Sequence, residues 1–130
     1  MVLRITVSIA MLLVLVASAV AAQARASLEG VWNGGLAGPV SASATWHFHG
    51  STYDMHGYPS IGEEGSFTVT DVPAADHSHA LTIHFTHVRG CGPCDGSSTL
   101  TARDDRERSA TLSADGTTLS MNGWALAHQP

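Results

Sequence analysis

An all-β fold is what this sequence predicts, most economically a small antiparallel up-and-down barrel of about eight strands. Three observations carry that reading. Short segments alternate apolar and polar residues with a period of two. Gly, Pro and Asp-Gly punctuation separates them at spacings of roughly ten to fifteen residues. No stretch after residue 26 shows the 3.6-residue period of an amphipathic helix. Closing the meander removes exposed strand edges, whereas an open β-sandwich, the alternative, keeps them.

The elements follow in order. Gly34, Gly35, Gly38 and Pro39 punctuate a first strand around Val31–Leu36 and the turn after it. Ala42, Ala44, Trp46 and Phe48 then alternate with Ser43, Thr45, His47 and His49, so the first set should face a core and the second should face out. Thr52–His56 is a short return strand with Tyr53 and Met55 on one face, and residues 57–65, GYPSIGEEG, read as a loop on composition. Ser66–Val72 resumes the alternation through Phe67 and Val69, and residues 73–79 form another loop.

Ala80–Gly96 is the most strand-like run and leads into the two cysteines. Leu81, Ile83, Phe85 and His87 are expected on one face, Thr82, His84, Thr86 and Val88 on the other. Ser97–Arg103 alternates through Leu100 and Ala102, residues 104–108 (DDRER) read as a solvated, self-neutralised turn, and Ser109–Ala114 is a strand through Ala110 and Leu112. Asp115-Gly116 is the strongest hairpin signal, expected to form a tight primed turn. Leu119 and Met121 share the next face, and Trp124 and Leu126 close the chain. Burying Trp46, Phe48, Phe67, Ile83, Phe85, Leu112 and Leu119 would contribute about 1.5–3 kcal/mol each. A domain with about a hundred residues to order keeps little margin after that, so a covalent clip would help.

Residues 1–26 have the form of an export signal: Arg4, an apolar run from Ile5 to Val20, then small residues with cleavage expected after Ala22, Ala24 or Ala26. The run is short for a membrane span and no charged stop-transfer flank follows. Residues 27–130 then make one domain, secreted or periplasmic, with no membrane attachment after cleavage. Arg4 and Arg25 leave with the leader, so four arginines face eleven acids and the formal charge is −7. That balance argues against nucleic acid or an anionic membrane as partner. All eight histidines remain, and full protonation would carry the charge to about +1.

Gly30-Val31-Trp32 at the head of the first strand resembles the G-x-W signature of lipocalins, and residues 114–121, ADGTTLSM, resemble the last hairpin of short bacterial lipocalin-like domains. The resemblance implies a barrel in which Trp32 packs across the closed end, beneath a site for a small apolar ligand. The chain is shorter than typical lipocalins and has no C-terminal helix pattern.

Cys91-Gly92-Pro93-Cys94 matches the thioredoxin redox motif letter for letter. That chemistry needs the first thiol at a helix N-terminus, and the residues that follow do not read as a helix. In an oxidising compartment the expected state is a structural disulfide between Cys91 and Cys94. The same spacing is half of a zinc or copper site, with His87 as a third donor; His84 points to the opposite face. His47 and His49 project the same way from one strand and could share a zinc or copper ion, and His77 and His79 repeat the spacing in a loop. No G-x-S-x-G elbow or other nucleophile context appears, and Glu63-Glu64 sits in a glycine-flanked loop.

The reading that follows is a non-enzymatic, exported binding module for a small apolar ligand or a protein partner, needing no cofactor. A periplasmic zinc or copper binder using His47, His49, His87, Cys91 and Cys94 is the alternative, and a thiol–disulfide redox protein the third.

Overall fold

The computed structural model describes residues 28–37, 42–58, 60–95 and 99–130. The expected leader, residues 1–26, and residues 97–98 of the strand expected at 97–103 lie outside the described residues.

Nine strands form: β1 (Gly30–Leu36), β2 (Ala42–His49), β3 (Thr52–Tyr58), β4 (Ile61–Pro73), β5 (His79–Cys91), β6 (Thr101–Ala102), β7 (Arg106–Leu112), β8 (Thr118–Met121) and β9 (Trp124–His128). β1 to β5 pair with their sequence neighbours, β5 pairs onward with β7, and β7, β8 and β9 continue the meander back to β1. All pairings are antiparallel, so eight strands close an up-and-down barrel, and β6 is a two-residue addition beside the end of β5.

Alternation places the side chains as expected. On β2, Ala44, Trp46 and Phe48 are buried while Ser43, Thr45, His47 and His49 are exposed. All seven residues expected in the core are buried, none more than 3% exposed. The filled interior is apolar and the outer wall polar, the reverse of a lipid-facing barrel.

The two ends differ. At one, Leu28 plugs the barrel and the Trp32 indole N–H donates to the Leu28 carbonyl at 2.9 Å, both residues fully buried. Glu29 secures this plug by accepting the Gly50 amide at 2.9 Å and His49 Nδ1 at 2.7 Å. The Gly50 N–H, more than His49, holds the Glu29 carboxyl below the usual carboxylate range. At the other end the interior stays open.

Four expectations change. β5 does not alternate to its end: His87 takes a left-handed conformation (φ +52°) and is extruded as a bulge opposite Gly65. The extra residue reverses parity, so Val88 turns inward and His87 outward. A side chain at residue 65 would sit 2.8 Å from the Thr86 carbonyl, which is why the partner strand carries glycine there.

Residues 57–65 are not a loop, because β3 runs to Tyr58 and β4 begins at Ile61, with both glutamates inside it. The run at 104–108 is not all turn either: β7 begins at Arg106, while of the strand expected at 97–103 the part that is β among the described residues is Thr101–Ala102. Glycine and charge density hid these segments, since neither prevents ladder pairing.

The two hairpin turns exchange roles. At Asp115-Gly116 only Gly116 has positive φ (+72°). The Gly116 amide donates to the Ser113 carbonyl, the pattern of a type I turn followed by a left-handed glycine. The primed two-residue turn is Asn122-Gly123, with φ of +46° and +88°, joining Met121 directly to Trp124.

The open end of the barrel as candidate site

Inward positions on seven strands converge at the open end. Trp46 comes from β2, Met55 from β3, Ile61 and Glu63 from β4, Phe85 from β5, Arg106 and Arg108 from β7, Met121 and Trp124 from β8 and β9. A cavity of about 180 Å³ is lined by Trp46, Met55, Ile61, Phe85, Met121, Asn122, Trp124 and both arginines. A wider cleft of about 290 Å³ shares Met55, Ile61 and Arg106 and extends past Glu63 and Arg103 to Cys91.

The arginines reach this place by parity. Arg106 and Arg108 stand four and two residues before Ala110, a buried core position, so the pleat points them into the barrel while Glu107 points out to His84 at 3.5 Å. Glu63 is inward for the same reason. It accepts the Tyr53 hydroxyl at 2.5 Å and forms an ion pair with Arg106, whose guanidinium carbon lies 5.2 Å from the Phe85 ring centroid. Burial, reinforced by the neighbouring Glu63 carboxylate, pushes the Tyr53 phenol well above its ordinary range.

Arg108 and Trp46 each bring to the cavity a donor with no acidic partner. Arg108 donates only to the adjacent Glu107 carbonyl, at 3.2 Å, and pairs with no carboxylate among the described residues. The Trp46 indole N–H is buried and finds no acceptor, although Trp46 stacks with Phe48 and Tyr53 at centroid distances of 6.0 Å. The charged groups lining the cavity and the cleft are three arginines and one glutamate. A chain of net negative charge thus presents a positive mouth.

The residues singled out in the sequence distribute differently. His47, His49 and His87 do meet, on an outer depression that also carries Asp54, Glu64 and Arg89. His87 belongs to it because the bulge turned it outward. The His47 and His49 rings are 6.2 Å apart, and each imidazole leans on a carboxylate: His47 on Asp54 at 3.5 Å and His49 on Glu29 at 2.7 Å. His56 shares Asp54 at 3.4 Å, and His79 pairs with Asp71 at 2.9 Å, away from this patch. Among the described residues no three His, Cys, Asp or Glu side chains are arranged to hold a metal ion.

Cys91 and Cys94 form a disulfide, so neither is a free thiolate for metal or for exchange. The bond lies over Gly62 of β4, where a Cβ would stand 3.2 and 3.3 Å from the two sulfurs. The Cys94 amide donates to the Ser60 carbonyl at 3.0 Å. The cysteines therefore staple the exit of β5 to the β3–β4 turn, and among the described residues no helix follows to activate them.

Arg106, Arg108 and Glu63 were not singled out by sequence reasoning. A signal existed: counting back in twos from Leu112 through Ala110 reaches both arginines. Compared with known proteins, the chain matches no family model, no curated protein and no solved structure.

Proposed function

We propose that this chain is an exported, non-enzymatic binding module that takes one small ligand at the open end of its barrel, in the manner of the lipocalin-like domains its G-x-W start resembles. The asymmetry of the two ends carries the reading. Leu28 and Trp32 seal one end, while the other leaves Ile61 and Trp124 only partly covered around an apolar pocket with donors at its rim. A binding role fits the polar groups better than a catalytic one. Among the described residues no hydroxyl or thiol bonds a histidine ring, the arrangement an activated nucleophile needs.

The test is a fluorescence titration of the oxidised protein with small neutral aromatics such as benzyl alcohol. Trp46 and Trp124 line the pocket and should respond, whereas Trp32, at the sealed end, supplies a constant background. Ile61→Trp, which fills the mouth, should abolish the response. A response unchanged in that variant would place binding elsewhere and remove the proposal.

A further inference from the structure

We infer that the ligand of this mouth is a small monocarboxylic acid, an aromatic or short branched body carrying one carboxylate, held by Arg108 and the Trp46 indole N–H. This rests on the open end being the binding site and adds the ligand's chemistry to it.

Size comes first. The cavity of about 180 Å³ is a little larger than the roughly 150 Å³ apolar cavity that accommodates benzene. A single ring or a branched chain of similar bulk fills it, against Met55, Phe85, Met121 and Trp124. A longer body could extend along the cleft toward Cys91.

Charge comes second. Arg106 is already neutralised by Glu63, so it packs on Phe85 and adds no net field. Arg108 is half-buried, inward-facing and without an acid. A buried N–H without an acceptor is costly, and Trp46, which lines this cavity and is only 3% exposed, carries one. A ligand that supplies an anionic acceptor answers both. One carboxylate can take a charge-assisted bond from Arg108 and a second from the indole, whereas a phosphate would leave most of its oxygens facing methionine and aromatic surface.

The experiment titrates the oxidised protein with benzoate, benzamide and benzyl alcohol, using tryptophan fluorescence for the wild type and calorimetry for the Trp46 variant. Benzoate should bind about tenfold or more tightly than either neutral compound, the scale of one partly buried charge-assisted hydrogen bond. Arg108→Gln should erase that preference and leave benzyl alcohol unaffected, while Arg108→Lys should keep part of it. Trp46→Phe should weaken benzoate severalfold. Asn122→Asp changes the charge of one wall residue at nearly constant size, since aspartate tolerates the left-handed turn position; its added negative charge should weaken benzoate more than the neutral compounds.

Equal binding of benzoate and the neutral compounds would overturn the carboxylate assignment and leave the mouth as a binding site. A benzoate preference that survives Arg108→Gln and Asn122→Asp would overturn it as well. Binding of none of the three compounds would sink this inference together with the reading on which it rests.

Discussion

Removing the Glu63 carboxylate tests the arrangement of the mouth more directly than any other single change. Glu63 is 12% exposed and Arg106 25%, so the pair is shielded without being fully desolvated. In Glu63→Ala the Tyr53 hydroxyl loses its acceptor, a loss of about 1–3 kcal/mol for a buried donor. Arg106 is left without its counter-charge, which for a fully buried pair costs about 3–5 kcal/mol and for this half-shielded one roughly half as much. Together the change should destabilise by about 3 kcal/mol. For a domain of this size that lowers the melting temperature by roughly 12–24 °C.

Glu63→Gln separates the two contributions. The amide oxygen still accepts from Tyr53, so only the charge is lost and about half the destabilisation should appear. The same substitution frees Arg106 beside Arg108, so benzoate should bind severalfold more tightly to a less stable protein. Urea unfolding at neutral pH, paired with the benzoate titration, reads both quantities. If Glu63→Ala lies within about 1 kcal/mol of wild type, or Glu63→Gln binds benzoate no better, the Tyr53–Glu63–Arg106 chain does not organise this end.

Tyr53 makes stability fall at high pH. Its folded pKa is raised above the ordinary value of 10, so the native state keeps a proton that the unfolded chain releases. The contribution is complete below pH 10 and declines above it by about 1.4 kcal/mol per pH unit for one group; urea midpoints from pH 9 to 11 should show this slope, and Tyr53→Phe should remove it. At the bulge, His87→Gly should be neutral to slightly stabilising and His87→Val destabilising by more than about 1 kcal/mol, because a β-branched residue resists φ of +52°. The same order in urea midpoints confirms a left-handed residue there, and a more stable valine variant would refute it. Replacing Cys91 and Cys94 together by alanine should cost about 2 kcal/mol, the closure entropy of so small a ring, measured by thermal unfolding under non-reducing conditions; no change at all would mean that Ser60 alone holds the β5 exit.

Barrel class and most inward faces were legible because each follows from alternation, whereas a closed end at Trp32 was only what the G-x-W resemblance implied. Trp46 and Phe48 had to share a side, and so did His47 and His49. What escaped was where parity breaks or persists against composition. Nothing local marks His87 as the extra residue of a bulge: its φ is imposed by Gly65 across the ladder and by the Asp105 side chain, which accepts the His87 amide at 3.1 Å. The arginines escaped for the opposite reason. Their alternation with Glu107 is regular, but a run of charge reads as solvated until the barrel gives it an inside. The cysteines were legible as a bonded pair, while their contact with Gly62 depends on a neighbouring strand.

The sign of the mouth therefore depends on register more than on charge content. Residues 106, 107 and 108 are Arg, Glu and Arg, and slipping β7 by one position would turn Glu107 inward and both arginines out. What prevents the slip lies at the far end of the hairpin. Leu112 pairs with Leu119, and Asp115 ties Ser113 to Thr117 through bonds of 2.7, 2.8 and 3.1 Å. Those hydroxyls, Ser113 foremost, hold the Asp115 carboxyl below its usual range. At the mouth itself the primed Asn122-Gly123 turn fixes β8 against β9 with no spare residue. Two turns with no ligand contact beyond Asn122 thus decide that a barrel with an acidic surface offers a cationic pocket.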